Sequence, residues 1–156
     1  MQLNTVCLHE WQAGGQAGND CYVTVNKVTA HEAEYLADHP RVAWVSYAGL
    51  RESPFHDLAR KYLPKGAGAV FTFGLKGGYE AGIKLVENVR LFSHLANIGD
   101  TRSLILHPAS TTHRQLSDEQ RLAAGAGPDV IRLSIGLESA DDLIRDLDEA
   151  FAAADR

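Results

Sequence analysis

Arg132 is the residue whose type and setting best suit the binding of an anion. It lies in the run VIRLSIGLE, where alternation places four aliphatic side chains on one face of a strand and Arg132 and Ser134 on the other. A guanidinium is a planar fork of N–H groups that matches a carboxylate or a phosphate. The alternative is an internal ion pair of Arg132 with Glu138 or Asp100, because structural ion pairs are common in proteins.

A second polar segment precedes this strand at residues 92–113, FSHLANIGDTRSLILHPASTTH. Its loop HPASTTH offers hydroxyls on Ser110 and Thr111 and imidazoles on His107 and His113. We interpret this segment and the strand VIRLSIGLE as one side of an anion-binding cleft. Two alternatives stay open: the hydroxyls satisfy backbone groups of a tight loop, or a Ser–His pair acts as a hydrolase nucleophile. The G-x-S-x-G elbow of that second alternative is absent.

Metal and nucleotide sites have little support in the sequence. Cys7, His9 and Cys21 could ligate zinc, but they lack the paired CxxC spacing of structural zinc sites. The two histidines of HPASTTH are six residues apart, which does not match the i, i+4 spacing of a helical zinc pair. The stretch GLKGGYEAG lacks the GKS/T of a phosphate-binding loop. We therefore predict neither a metal nor a nucleotide site.

Composition limits the partners that this chain can have. Its 156 residues suit one domain with a real core, and its net charge of −5 with dispersed basic residues argues against nucleic acid. No apolar run approaches the roughly 20 residues that span a bilayer, so no membrane contact is expected. Two cysteines and no signal-peptide pattern at the N-terminus indicate a reducing cytoplasm.

Helices and strands alternate along the chain from residue 31 onward. The predicted helices cover residues 31–39, 53–63, 79–91, 117–125 and 139–155. The predicted strands cover residues 42–50, 70–75, 104–106 and 130–138, and the first of them is expected to be buried. The helix at 53–63 is expected to begin at Ser53-Pro54 and to pack through one apolar face, namely Phe55, Leu58, Ala59, Tyr62 and Leu63. Residues 1–30 are predicted to be loop or tail, with a weak strand signal at 21–28.

This order predicts an α/β or α+β fold with helices over a small sheet. The strands at 70–75 and 130–138 each carry one apolar and one small or polar face. The apolar face of the sheet is therefore expected to be covered by helices, and the polar face is expected to hold Arg132.

Four long segments resemble a known family. They are HPRVAWVSYAGL, SPFHDLARKYLPKGAGAVFTFGLKGG, LFSHLANIGDTRSLILHPASTTH and IRLSIGLE. Together they are similar to the C-terminal domain of O-acetylhomoserine sulfhydrylases, within the Cys/Met metabolism family of pyridoxal-phosphate (PLP) enzymes. The resemblance implies the C-terminal domain of a fold-type I PLP enzyme, with a small, mostly antiparallel sheet and helices on one face. It also implies two parts: a divergent N-terminal segment at 1–30 and a substrate-recognition domain at 31–156.

The resemblance also implies roles for residues in both marked segments. Arg132 matches the family arginine that holds the substrate α-carboxylate by a bidentate ion pair, and Asn97 falls where the family places a Ser or Asn that touches the same group. The loop with Ser110 and Thr111 looks like the border of that cleft. We therefore predict Arg132, Asn97, Ser110 and Thr111 as substrate-binding residues for a small amino acid, with no catalytic residue in this chain.

This sequence differs from the family in the residues that bind the cofactor. Full-length members carry an N-terminal domain with the PLP phosphate site and the Schiff-base lysine, and no lysine here matches that residue; the candidates are Lys27, Lys61, Lys65, Lys76 and Lys84. In the complete enzyme, the resemblance implies that sulfide replaces the acetoxy group of O-acetylhomoserine to give homocysteine and acetate. We expect this chain alone to bind no PLP and to be inactive. The alternative is a stand-alone binding or assembly module that retains a carboxylate site or a subunit interface, and a homo-oligomer is compatible with either.

Overall fold

The computed structural model describes residues 16–97 and 100–154, with side chains from residue 23 onward. The helices are α1 (Gln16–Asp38), α2 (His56–Tyr62), α3 (Gly78–Asn88), α4 (Asp118–Ala123) and α5 (Ala140–Ala154). The strands are β1 (Val42–Ser46), β2 (Val70–Leu75), β3 (Ser93–His94), β4 (Leu104–Leu106) and β5 (Val130–Ser134). A 3-10 turn at Pro108–Ser110 follows β4.

The five strands form one sheet in the order β1-β2-β5-β4-β3. The pairs β1–β2, β2–β5 and β5–β4 are antiparallel, and only the two-residue β3 runs parallel to its neighbour β4. The predicted fold class, a small and mostly antiparallel sheet within an α/β architecture, is confirmed. β5 lies in the middle of the sheet, so a side chain on its open face has strands on both sides.

The core lies between one face of this sheet and the helices α1, α3 and α5. Phe73, Ile131 and Leu133 on the sheet are fully buried, as are Leu143 and Leu147 on α5. Their alternation in the strands and their helical spacing in α5 are the patterns that predicted this face. Truncating one of these leucines to alanine costs about 2–5 kcal/mol in a packed core. The sheet is therefore backed by a packed apolar core behind its polar face.

The N-terminal helix corrects the sequence prediction for residues 16–30. The loop and the weak strand at 21–28 are wrong, because α1 runs without a break from Gln16 to Asp38 and crosses the expected boundary at residue 30. Val25, Thr29 and Leu36 are buried at spacings of four and seven, a helical pattern that the polar residues between them concealed. Cys7 and His9 lie outside the described residues, as does the side chain of Cys21.

Helix α2 corrects a second prediction. It begins at His56 rather than at Ser53-Pro54, and the expectation that its apolar face packs inward is wrong. Within α2 only Ala59 is buried, whereas the large apolar side chains at its ends and centre are exposed. Helical spacing marks a common face but does not say what covers that face.

Strand β1 is an edge strand and not the buried strand that its apolar composition suggests. Ala43 and Trp44 are exposed. The indole Nε1 of Trp44 donates a hydrogen bond to Asp129 at 3.0 Å, lying across Gly74, where a Cβ atom would collide with the indole. Gly74 is therefore the position in β2 that lets the edge tryptophan reach Asp129, the residue before β5. Leu137, predicted to share the core face of β5, is also exposed, since β5 ends at Ser134.

The short helix α4 matches its predicted signals. The Ser117 hydroxyl accepts from the Gln120 backbone N–H at 3.3 Å, and the Gln120 side chain accepts from the Ser117 N–H at 3.0 Å. This confirms the predicted capping box. Gly125 follows the helix with a left-handed φ of 66°.

Candidate functional site

Arg132 occupies the middle of the open face of the sheet. It pairs in register with Thr72 of β2 on one side and Leu106 of β4 on the other, and Thr72 pairs in turn with Ser46 of β1. Side chains that are directly opposite across strands share a face. The row Ser46–Thr72–Arg132–Leu106 therefore surrounds the guanidinium with two hydroxyls on one side and an aliphatic wall on the other.

The predicted internal partners of Arg132 are engaged elsewhere. The Asp100 carboxylate accepts from Arg102 through both Nε and a terminal nitrogen, at 3.0 and 2.8 Å. The Glu138 carboxylate accepts from the backbone N–H and the hydroxyl of Ser103. The side chain of Arg132 makes no hydrogen bond or ion pair with any described residue, so the alternative of an internal ion pair is wrong for the described part of the chain.

Two clefts open beside Arg132, and the guanidinium lines both. The first has a volume of about 430 Å³ and is lined on its polar side by Asn97, Ser134 and Arg132. Its apolar wall comes from Leu95, Ala96 and β4. The second has a volume of about 490 Å³ and includes Ser46 and Thr72. Either volume accommodates a small amino acid.

Asn97 and Arg132, two of the four predicted site residues, are thus brought to one cleft. The Asn97 side-chain nitrogen donates to Asp100 at 3.1 Å, which holds the amide in place. The hydrogen bonds from Arg102, followed by the one from Asn97, keep the pKa of Asp100 well below its usual range. Asp100 therefore remains an anion that holds the side chain of Asn97, a role that the sequence did not indicate.

Ser110 and Thr111, the other two predicted site residues, do not line either cleft. The Thr111 hydroxyl donates to the His107 carbonyl at 2.8 Å, and the Ser110 hydroxyl lies 2.9 Å from His107 Nδ1. His107 is fully buried, and its Nε2 donates to the Pro128 carbonyl at 2.9 Å. Both hydroxyls are engaged with the turn itself, as the structural alternative for this loop predicts.

The two histidines of this loop, His107 and His113, have different hydrogen-bond partners. Burial lowers the pKa of His107, so its ring is neutral: Nε2 carries the proton and Nδ1 accepts from Ser110. His113 Nδ1 instead lies 2.8 Å from the hydroxyl of Thr112. The pair of Ser110 with His113 that a hydrolase would need is therefore not formed.

Three hydroxyl residues near Arg132 were not predicted as site residues: Ser46, Thr72 and Ser134. Alternation placed Thr72 and Ser134 on a polar face, but their position beside Arg132 depends on the register between strands. Local pattern does not determine that register.

The lysines of the chain do not fit a Schiff-base site at these clefts. All five are described, and none lines either cleft. Lys76 donates to the Pro40 carbonyl at 2.8 Å, and Lys84 reaches the Ala154 carbonyl at 3.4 Å. The residues present therefore do not suit covalent attachment of PLP beside Arg132.

The fold and the clefts define a small α/β domain that presents an arginine on the open face of a mostly antiparallel sheet. Residues 24–152 match the family of Cys/Met metabolism PLP-dependent enzymes. The chain belongs to this family. Its five-stranded sheet with covering helices resembles part of solved fold-type I PLP enzymes. No helix in the described part is long and apolar enough to cross a membrane.

Similar proteins are much longer than this chain. It is 55% identical over 124 residues to O-acetyl-L-homoserine sulfhydrylase 1 of Thermus thermophilus, covering 80% of this chain and 30% of that protein. It is 48% identical over 122 residues to homocysteine synthase of Schizosaccharomyces pombe, covering 78% and 28%. The chain thus spans about three tenths of the length of these relatives.

Solved structures show the same fold. A crystal structure of an O-acetylhomoserine (thiol)-lyase from Campylobacter jejuni matches with a TM-score of 0.76 and 41% identity, covering 83% of this chain and 31% of that one. Yeast cystathionine gamma-lyase matches with a TM-score of 0.78 and 34% identity, covering 85% and 34%.

Proposed function

We propose that this chain is the substrate-carboxylate-binding part of an O-acetylhomoserine sulfhydrylase-like enzyme. The observation that carries the proposal is the guanidinium of Arg132. It stands at the centre of the open sheet face, pairs with no described side chain, and lines two clefts of amino-acid size. The names of two similar proteins supply the substrate class, O-acetylhomoserine.

The residues of this chain bind and orient the substrate. The fork of Arg132 donates two parallel hydrogen bonds to the α-carboxylate, and the geometry of the fork fixes the plane of that group. Asn97, on the polar side of the same cleft, contributes its amide, which is steadied by Asp100. Leu95 and Leu106 exclude water from one side, which strengthens the ion pair because the local dielectric constant is lower.

The reaction at the substrate side chain lies outside these residues. Replacement of acetoxy by sulfide, giving homocysteine and acetate, is proposed for the complete enzyme, with PLP as its electron sink. None of the lysines of this chain lines the clefts, so we assign no chemical step to them. The chain alone is therefore expected to bind substrate without turning it over.

Calorimetry with O-acetylhomoserine tests whether Arg132 binds the substrate carboxylate; we call this proposed contact the clamp. Hydrogen bonds to charged groups contribute about 1.5–3 kcal/mol, so Arg132→Ala is expected to weaken binding by about tenfold to a hundredfold. Arg145→Ala is the matched control, since Arg145 lies on α5 with its side chain 65% exposed and pairs only with the neighbouring Asp142 among the described residues. Equal affinity in the two variants would contradict the clamp.

Borohydride reduction in the presence of PLP tests the inactivity of the chain alone. We expect scattered, substoichiometric labelling of the five lysines and no formation of homocysteine. A single lysine labelled in full, together with sulfhydrylase activity, would contradict the assignment. Arg132→Ala serves as a control here, because labelling of surface lysines does not depend on the clamp.

A further inference from the structure

Arg132 is the only charged side chain among the described residues that line the two clefts. Beside it, the first cleft has the uncharged polar side chains of Asn97 and Ser134, and the second has those of Ser46 and Thr72. All other described lining residues are apolar. An arginine guanidinium stays positively charged in proteins. The described walls therefore have one positive charge and no acidic side chain.

The register of the sheet places neutral side chains directly beside Arg132. The Ile135 N–H donates to the Ala69 carbonyl at 2.8 Å, which marks a hydrogen-bonded pair in the ladder between β2 and β5. Three positions along the ladder, Arg132 and Thr72 are therefore a non-hydrogen-bonded pair, the kind whose side chains lie closer together. On the other side, Arg132 pairs with the aliphatic Leu106. Neither neighbour can neutralise the guanidinium.

Acidic side chains in the segments around the clefts are bound elsewhere. Asp129, the residue before β5, accepts a hydrogen bond from the indole of Trp44 at 3.0 Å. Asp100 and Glu138 are held by the loop residues described above. None of these three acids lines either cleft. An ammonium group brought into a cleft would therefore meet a guanidinium and no carboxylate from the described residues.

An α-amino acid brings an ammonium group together with its carboxylate. Both groups are attached to one carbon atom, so the ammonium comes within the Debye length, about 8 Å at physiological ionic strength, of a guanidinium that holds the carboxylate. At that separation, salt does not fully screen the repulsion between the two cations. The hydroxyls of Ser134 and Thr72 can accept a hydrogen bond but supply no compensating charge. The described walls therefore favour an anion over a zwitterion.

We propose that the clefts beside Arg132 recognise a carboxylate and contribute no favourable contact to an α-ammonium group. The ligand class of this chain is then the small monocarboxylates, whether or not they carry an amino group. This inference rests on the proposed function, because it takes Arg132 as the partner of the carboxylate. The α-amino group of the substrate is left to groups outside the described residues.

Two truncated ligands separate the two charged groups of O-acetylhomoserine. In γ-acetoxybutyrate a hydrogen replaces the amino group, and in the acetate ester of propanolamine a hydrogen replaces the carboxylate. Calorimetry would compare both with O-acetylhomoserine on the parent chain at one pH and ionic strength. We expect γ-acetoxybutyrate to bind at least as tightly as O-acetylhomoserine, and up to about tenfold more tightly. The propanolamine ester is expected to bind at least about tenfold more weakly.

A variant of Arg132 links this comparison to the clamp. Arg132→Ala is expected to weaken γ-acetoxybutyrate and O-acetylhomoserine by the same factor, about tenfold or more, because both lose the same contact. Arg145→Ala on α5 is the matched control and is expected to leave the affinities for all three ligands unchanged. Circular dichroism checks that each variant is folded.

The possible failures are distinguishable. Weaker binding of γ-acetoxybutyrate than of O-acetylhomoserine to the parent chain would show that the ammonium group is recognised. Equal binding of the propanolamine ester and O-acetylhomoserine would show the same. Either result overturns this inference, while a loss of affinity in Arg132→Ala would leave the proposed function standing. If Arg132→Ala bound both carboxylates like the parent chain, or if the parent chain bound neither, the proposed function would fail together with this inference.

Discussion

At the scale of single residues, Arg132 depends on how the acids near it in sequence are used. Asp100 is held by Arg102, and Glu138 is held by Ser103, so neither is left to neutralise the guanidinium. Both acids were reasonable partners by sequence distance alone. Their actual partners come from loop geometry that no local pattern describes, whereas the face on which Arg132 lies follows directly from the alternation in β5.

Ser110 provides a residue-scale prediction about the border of the site. Its hydroxyl is engaged with His107 and lines neither cleft, so Ser110→Ala is expected to leave the affinity for O-acetylhomoserine unchanged. The lost hydrogen bond is expected to lower the free energy of unfolding by about 1 kcal/mol. Calorimetry and urea denaturation measure the two quantities. A marked loss of affinity would instead support the substrate-binding role that the family resemblance implies for Ser110.

At the scale of elements, α5 is tied to the turn after α3 through Asp146. Its buried carboxylate accepts the backbone N–H groups of Arg90, Leu91 and Phe92 at 2.8, 2.9 and 3.1 Å. Asp146→Ala leaves three donors without a partner, so we expect a loss of about 3–5 kcal/mol in the free energy of unfolding.

The control for Asp146 is Asp142→Ala on the same helix. Its side chain is 49% exposed and pairs only locally with Arg145 among the described residues, so a change within about 0.5 kcal/mol is expected. Urea denaturation measures both variants. Similar losses would mean that the contacts of Asp146 do not hold the turn.

Helix α1 carries a carboxylate that makes the stability of the fold depend on pH. Glu32 is fully buried, and neither of its oxygens has a hydrogen-bond partner among the described residues. Burial raises the pKa of Glu32 from 4.5 to about 8. Between these values the unfolded chain binds fewer protons than the folded chain at this residue. Its contribution to stability is therefore complete below about pH 4.5 and is lost as the pH rises towards 8.

Glu32→Gln isolates this effect, because the amide cannot ionise. We expect the variant to gain stability relative to the parent chain as the pH rises from 5 to 8, with little difference near pH 4.5. Thermal or urea denaturation at several pH values measures the difference, and subtraction removes the histidines that titrate in the same window. A difference that does not change with pH would show that Glu32 has a partner in the folded chain.

The elements differ in how well the sequence predicts them. α5 is found at Ala140–Ala154, within one residue of its predicted ends, whereas β5 begins at Val130 as predicted but ends at Ser134, four residues early. α1 was missed over residues 16–30 because polar residues and Gly18 dilute its buried stripe, whose partners lie on the sheet and on α5. The prediction that the apolar face of α2 is buried was wrong for a related reason. An apolar stripe describes one face of a helix, whereas the burial of that face depends on what packs against it.

At the scale of the whole molecule, the chain combines a continuous apolar core with a polar sheet face that carries Arg132. The sheet and its helices bury a continuous apolar cluster, and the opposite face presents the clefts with Arg132. The family and the fold class could be predicted from the sequence because long ordered segments match. The chain spans about three tenths of the Thermus thermophilus relative. The proposed division of labour follows from this: this domain holds the carboxylate, and the remainder of the enzyme supplies the reactive centre.

The central claim is that Arg132 binds the substrate α-carboxylate, and a thermodynamic cycle tests it most directly. Calorimetry would compare O-acetylhomoserine with its carboxamide, in the parent chain and in Arg132→Ala. If the two groups touch, removing the carboxylate weakens binding to the parent chain by about tenfold or more, and has little further effect once Arg132 is gone. If instead the carboxamide costs the same affinity in both proteins, the two groups act independently and the claim is contradicted.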